Sequence, residues 1–204
     1  MYKLPYFIED NEEVVFGFMQ KNSFAFIAGI NGNIPVATHV PLDIKRDYQN
    51  KIIFTGHMMK NSDHHKAFEQ DENVLVIFTG PHCYVSASWY VKKNSASTWN
   101  YIDVHAHGKI KFTNEEETKK TVENITDKYE AIESEAAFKR LPPEYVDRLV
   151  KAIIGFTIEV TSLQNVFKLS QNHDPVTRGN IIENLMKRTD ANSHEIATEM
   201  KKRF

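Results

Sequence analysis

A single cysteine, Cys83, occurs in the 204 residues, so an internal disulfide is excluded and the reducing cytoplasm is the expected setting. No run of 18 apolar residues is present, which excludes a membrane-spanning helix. The opening MYKLPYFIEDNEE lacks a basic stretch followed by an apolar core, so no secretion signal is expected. Neither sign of charge dominates: 25 Lys and Arg against 27 Asp and Glu give a formal net charge of -2. The chain as a whole is therefore not an electrostatic binder of nucleic acid, and any DNA contact must come from a local patch. Catalytic signatures are missing as well. There is no GxGxxG, no GxxxxGKS, no HExxH, no CxxC and no GxSxG elbow, and no repeat, low-complexity tract or flexible linker. His105 and His107 share one face of an expected strand, within reach of His57, His64 or His65. Adjacent His64 and His65 cannot both point at one ion, however, and no metal site is assigned.

What is present is an ordinary globular composition, 41% hydrophobic and 25% charged, long enough to bury a core as one domain or one with an appendage. Asp10 and Glu13 form a capping-box pattern that opens a helix with Val14, Val15 and Phe18 as its apolar stripe. SFAFIAGI and IPVATHV flank Asn31-Gly32, a hairpin signal, and KIIFTGH is a third strand. Asn61 or Ser62 caps a short helix to Phe68, and VLVIF reads as a strand buried on both faces. VHAHGKIKF alternates around Gly108, where a bulge or a close backbone approach is expected. Asn114 and Glu117 form a second capping box, opening a helix to about Ile132 with Val122, Ile125 and Tyr129 on one face. Pro143 starts another helix over 144–151, and residues 153–160 return to strand alternation. Two helices close the chain, one from Asp174-Pro175 carrying Ile181, Ile182 and Leu185, the other from Asn192 and Glu195. Strands joined by hairpins rather than helical crossovers predict an antiparallel sheet, closed or nearly closed.

Between VLVIF and VHAHGKIKF lie some twenty residues dense in Ser, Thr, Asn, Trp and Tyr. That composition suits a planar polar ligand, with rings to stack on and hydroxyls and amides for its edges. Trp89 or Trp99 can cover such a ring while Ser86, Ser88 and Asn100 meet its polar edge; Tyr84 and Tyr90 belong to the same stretch. The same tryptophans also fit a subunit interface, where indoles are enriched. GHMMKNSDHH is a strand end running into a helix, whose first amides and neighbouring Lys60 suit a phosphate. Cys83 reads as packing rather than as a nucleophile.

These segments carry a resemblance. GPHCYVSASWY with TWNY, GHMMKN at 56–61 and GFTIEVTSLQNVFKLSQN at 155–172 resemble, in order, the signature blocks of the FMN-binding negative transcriptional regulators of the PaiB family. The resemblance implies an α+β, mainly β fold: an antiparallel FMN-binding split β-barrel over 1–170 with peripheral helices, followed by a C-terminal helical pair over 171–204. It implies FMN as cofactor and a homodimer whose interface holds the flavin. His57, Lys60, Asn61 and Ser62 then stand at the phosphate corner. Lys168 stands where pyridoxine phosphate oxidases bring a basic residue into the flavin pocket, although alternation with Phe167 and Leu169 equally turns it to solvent.

The leading reading is therefore a cytoplasmic FMN-binding repressor resembling those of protease and sporulation genes, rather than an enzyme. No helix-turn-helix is evident. Arg178, Lys187, Arg188, Lys201, Lys202 and Arg203 of the last two helices form either a DNA patch or solvated helix ends. The alternatives are a flavin reductase or oxidase on the same barrel, for which no substrate site is marked, and a haem-binding split barrel with His57 or His105 as axial ligand.

Overall fold

The structure is a computed structural model describing Met1 and residues 4–203. Among the described residues, six α-helices and seven strands alternate along the chain. They are α1 (Glu12–Lys21), β1 (Phe24–Asn31), β2 (Ile34–Pro41), β3 (Asp43–Arg46), β4 (Ile52–Met59), α2 (Asp63–Gln70), β5 (Asn73–Val85), β6 (Thr98–Phe112), α3 (Glu115–Tyr129), α4 (Pro143–Val150), β7 (Ile153–Lys168), α5 (Pro175–Met186) and α6 (Ala191–Lys201). The strands form one antiparallel sheet in the order β2-β1-β5-β6-β7-β4-β3. This is the α+β, mainly β class that the resemblance implies, with the antiparallel pairing that the hairpin spacing predicts.

The chain divides into two units, residues 19–78 with 105–163 and residues 1–18 with 79–104 and 164–204. In the first of these, β1 and β2 pair from Phe24↔Pro41 to Asn31↔Ile34, so the hairpin loop is Gly32-Asn33, one residue beyond the expected Asn31-Gly32. Gly32 alone takes a positive φ, 61°, the conformation that a two-residue turn of the II′ class requires at its first position. The core holds Ile27, Phe54, Phe78, Phe156 and Ile158, all fully buried, with Phe54 and Phe78 edge to face at 5.3 Å. Each such side chain contributes about 1.5–3 kcal/mol on burial. Gly108 carries the expected close approach: a Cβ there would stand 2.6 Å from Ile158 Cγ2 and 2.8 Å from the Glu159 carbonyl oxygen. The strand runs through it without interruption.

Helix α3 opens with the expected capping box, Asn114 accepting from the Glu117 amide and Glu117 returning to the Asn114 amide. Its buried residues are Thr118 and Thr121, not Tyr129, which is 63% exposed. Thr118 Oγ1 donates to the Asn114 carbonyl (2.7 Å) and accepts from the Gly155 amide (2.9 Å), so a hydroxyl docks this helix where an apolar stripe is expected. The short strand β3, which alternation does not announce, pairs with β4 from Asp43↔Thr55 to Arg46↔Ile52.

In the other unit, Val166, Phe167, Leu169 and Ser170 are buried in near succession, and Ile181, Leu185, Ile196 and Met200 complete the core. Asp174 caps α5 through the Thr177 amide, and Asp190, rather than Asn192, caps α6 through the Ser193 amide. Asp190 wins because it lies one residue before the first helical turn, where its carboxylate reaches the third amide. Glu9 and Asn165 exchange hydrogen bonds at 2.8 and 3.1 Å, and Arg203 closes on Glu9 at 3.0 Å. Helix α1 is led by Asn11, whose Oδ1 accepts from the Glu13 amide, in place of Asp10. Its buried residues are Val15 and Met19, one turn apart; Val14 is exposed and Phe18 half-buried.

Candidate functional site

The corner between β4 and α2 is built by short polar residues. Asn61 takes a left-handed φ of 62°, which its side chain tolerates better than most, and turns the chain. Ser62 Oγ then accepts from the His65 amide at 3.3 Å and donates to the Met59 carbonyl at 3.0 Å. The Asn61 amide donates to His65 Nδ1 at 3.2 Å and the His64 amide to Asp63 Oδ1 at 2.8 Å. The amides of Asn61, His64 and His65 thus have partners inside the corner. Lys60 is half-buried, and its backbone amide donates to the Ala152 carbonyl at 3.0 Å.

A cavity of about 270 Å³ opens beside this corner, within the same unit. Thr38 and His39 of β2, His57 and Met59 of β4, and His64 of α2 line it. His57 is half-buried, its Nδ1 has no partner among the described residues, and burial pulls its pKa below the ordinary 6.5. His39 presents its ring here, edge to face with Phe26 at 4.9 Å. The result is three imidazoles and a hydroxyl around one space; the ring nitrogens of His64 are taken by Ser62 Oγ at 2.9 Å and Asp63 Oδ1 at 3.1 Å, while Thr38, His39 and His57 can donate to an anion's oxygens. Of the four residues expected at a phosphate corner, His57 lines the cavity while Lys60, Asn61 and Ser62 form the turn. Thr38, His39 and His64 come from two other elements, and no local spacing announces them together.

In the other unit a larger cavity, about 410 Å³, collects three expected residues, Tyr90, Asn100 and Lys168. Lys168 is half-buried; its ammonium donates to Thr98 Oγ1 at 2.5 Å and lies 5.8 Å from the centroid of Phe7. Burial lowers its pKa. Asn100 is completely buried, and its carboxamide exchanges two hydrogen bonds with the Ser170 hydroxyl at 3.0 and 3.1 Å. Tyr90 is 3% exposed, packs against His173 at 4.4 Å between centroids, and its hydroxyl has no partner among the described residues. Thr98 and Ser170 flank motif residues already singled out; Phe7 and His173 carry no signal in the sequence.

The remaining expected residues lie elsewhere in that unit. Trp99 (52% exposed) and Tyr84 (44% exposed) stand edge to face at 6.1 Å, with His82 6.2 Å from Trp99, making an exposed aromatic strip on β5 and β6. Trp89 is half-buried beneath the Arg188 guanidinium, 4.9 Å from its ring, and its carbonyl accepts from Asn180 Nδ2. Ser86 Oγ accepts from the Ser88 amide and pairs with the Ser88 hydroxyl at 2.8 Å, so both serines shape the short turn 87–89. Cys83 is buried and its thiol is pushed up to about 11, the condition of a packing residue. Of the basic residues near the C-terminus, Lys187, Lys202 and Arg203 pair with glutamates, and Arg188 donates to the Tyr84 carbonyl.

The sheet order and mixed helices define a split-barrel fold of the flavoprotein type. A solved flavocytochrome, Anf3 from Azotobacter vinelandii, matches with a TM-score of 0.63 at 13% identity, covering 82% of this chain and 72% of that one. An FAD and haem binding protein from Mycobacterium smegmatis matches with a TM-score of 0.59 at 14% identity, covering 78% of this chain and 72% of that one. A family profile described as "Putative FMN-binding domain" matches residues 1–162. The Bacillus subtilis (strain 168) protein named "Protease synthase and sporulation protein PAI 2" is 35% identical over 201 residues, 98% of this chain and 96% of its own length. The chain belongs to this FMN-binding PaiB family, whose cofactor is FMN.

Proposed function

We propose that the protein is an FMN-binding regulator of gene expression, working in the cytoplasm as a homodimer, on functions of the kind for which its Bacillus subtilis relative is named. The observation that carries the cofactor reading is the β4–α2 cavity. FMN ends in a phosphate dianion, which only accepts hydrogen bonds, and this cavity holds groups able to donate them: the Thr38 hydroxyl and the imidazoles of His39 and His57. The unpartnered Nδ1 of His57 is the group such an oxygen would satisfy. At about 270 Å³ the cavity takes the phosphate end rather than a whole cofactor, since sites that enclose a complete ligand run to roughly 300–1,000 Å³. When bound, FMN supplies a ring that accepts and releases electrons; the chain's own part is to hold it and exclude water.

The regulator role follows the relative's name, and the internal pairing of Lys187, Arg188, Lys202 and Arg203 favours a route that does not depend on these helix ends as a DNA patch. Titration of the protein with FMN and with riboflavin, followed by tryptophan fluorescence, tests the cofactor reading. FMN is expected to bind at least tenfold more tightly, because only it carries the phosphate, a charge-assisted contact of about 1.5–3 kcal/mol. Equal affinities would remove the phosphate corner from the proposal.

A further inference from the structure

Among the described residues that line the β4–α2 cavity there is no lysine and no arginine. Val40, Pro41, Met58, Met59 and Ile153 make much of the wall apolar, and its ionisable groups are the imidazoles of His39, His57 and His64. Lys60, one residue beyond the end of β4, lies outside the lining. A phosphate dianion moved from water against such a wall is destabilised unless a positive charge accompanies it. With no fixed cation in the wall, that charge has to come as a proton on an imidazole.

The three imidazoles differ. His64 faces the Asp63 carboxylate at 3.1 Å, so a proton on it is already matched before any ligand enters. His39 is held between two rings, stacked on Phe24 at 5.9 Å and edge to face with Phe26 at 4.9 Å. His57 alone of the three has a buried ring nitrogen, Nδ1, without a partner among the described residues. The elements packed around it bring no unpaired charge. Strand β7 sets Gly155 opposite His57, and a Cβ on that glycine would meet the neutral Thr113 and Thr118. On β3, Asp43 stands opposite Thr55, two residues before His57, and is paired with Lys45 at 2.6 Å. His57 therefore has no counter-ion in the free protein, and burial holds its pKa below the ordinary 6.5. A dianion within about 4–6 Å raises such a group by about one to three units. Once protonated, the ring donates from both nitrogens, so Nδ1 becomes a donor whichever tautomer it held before.

We propose, on the reading of this cavity as the FMN phosphate corner, that FMN binds together with a proton, which His57 takes up from solvent as the phosphate enters. No bond changes other than the new N–H bond on the imidazole. The imidazolium and the dianion then form a charge-assisted pair inside a largely apolar wall, which selects a doubly ionised phosphate end over the neutral end of riboflavin. Because the complex holds more protons than the separate partners, its affinity falls as pH rises. The loading of the regulator with its cofactor thereby follows the pH of its surroundings.

The test is calorimetric titration of the full chain with FMN and with riboflavin at pH 7, in two buffers of different protonation enthalpy, PIPES and TES. The difference in heat between the buffers counts the protons taken up. About half a proton to one proton per chain is expected with FMN and none with riboflavin. Between pH 7 and pH 8, above the second ionisation of a phosphate monoester near 6, FMN affinity is expected to fall about two- to tenfold. His57→Gln keeps a hydrogen-bonding side chain that does not titrate. It should bind FMN about three- to thirtyfold more weakly at pH 7, without proton uptake and with a flat pH dependence, whereas His39→Gln should keep the uptake. Circular dichroism checks that each variant is folded, and the parent's buffer pair and pH series carry the test if the His57 variant is not. FMN that binds at least tenfold more tightly than riboflavin, with equal heats in both buffers, would overturn the proton linkage and leave the phosphate corner standing. Uptake that survives in folded His57→Gln would overturn the assignment to His57. Equal affinities for the two flavins would overturn the phosphate corner itself, and the proton linkage with it.

Discussion

Replacing His57 by leucine separates cofactor binding from folding in a single variant. The imidazole is half-buried and its Nδ1 lacks a partner among the described residues, so the folded protein carries an uncompensated desolvation cost there. For a buried unsatisfied group that cost is about 1–3 kcal/mol, and partial exposure puts His57 at the lower end, about 1 kcal/mol. Leucine fills a similar volume beside Met58 and Ile153 without a polar atom. The apo variant should therefore melt about 2–4 °C higher than the parent, the shift that 1 kcal/mol produces in a chain of this size. FMN should suffer in the opposite sense. Loss of one hydrogen bond to a charged oxygen, about 1.5–3 kcal/mol, weakens it roughly ten- to 150-fold, while riboflavin changes less than about twofold. Thermal melts of apo protein and fluorescence titrations with both flavins measure the two arms. A variant that melts higher but binds FMN as the parent does would show that His57 is a merely strained residue. Parallel losses for FMN and riboflavin would place its contact away from the phosphate.

Trp99→Leu should weaken FMN at least three- to tenfold, the value of stacking beyond area burial, while light scattering still gives about twice 23.6 kDa; a monomer with unchanged FMN affinity would instead make the indole an interface anchor. Asn114→Ala removes the α3 capping box and should cost about 0.5–2 kcal/mol in urea unfolding; no loss would mean that Thr118 alone fixes the helix start. Burial holds His57, His105 and His173 below the ordinary 6.5, so each is neutral in the folded chain at pH values where the unfolded chain already binds a proton. Their contribution is complete above that value and is lost as pH falls below it towards the folded pKa, so the urea midpoint should be lower at pH 5.5 than at pH 7.5, and equal midpoints would refute the burial of these rings.

What the sequence made legible was mostly local. The Asn114–Glu117 box and the Ser62 cap are three-residue hydrogen-bond patterns, and both are present as expected. Gly108 marked a close strand contact because only a missing Cβ admits one. On α3 a polar group had taken an apolar group's task, and on α1 a neighbouring polar residue had taken the cap. Helix α3 docks through the hydroxyl of Thr118, and Asn11 leads α1 through an Asx-type bond from one residue beyond the expected cap. Period two also failed at the end of β7, where Phe167, Leu169 and Ser170 are buried around Lys168, because the strand there is covered on both faces. Three of the twelve expected site residues meet in one cavity and His57 lines another, but their companions come from other stretches of the chain. Thr38, His39 and His64 share a cavity only because β2, β4 and α2 converge, which no spacing along the chain encodes.

The state of Cys83 has a practical consequence. With its thiol held near 11 and the side chain buried, only about one molecule in a thousand carries a thiolate there at pH 8. Maleimide reagents should therefore pass over it, and the natural chain serves as a cysteine-silent background. A cysteine introduced on an exposed position such as Tyr48 or Ile132 can carry a fluorophore or spin label without any change to the core.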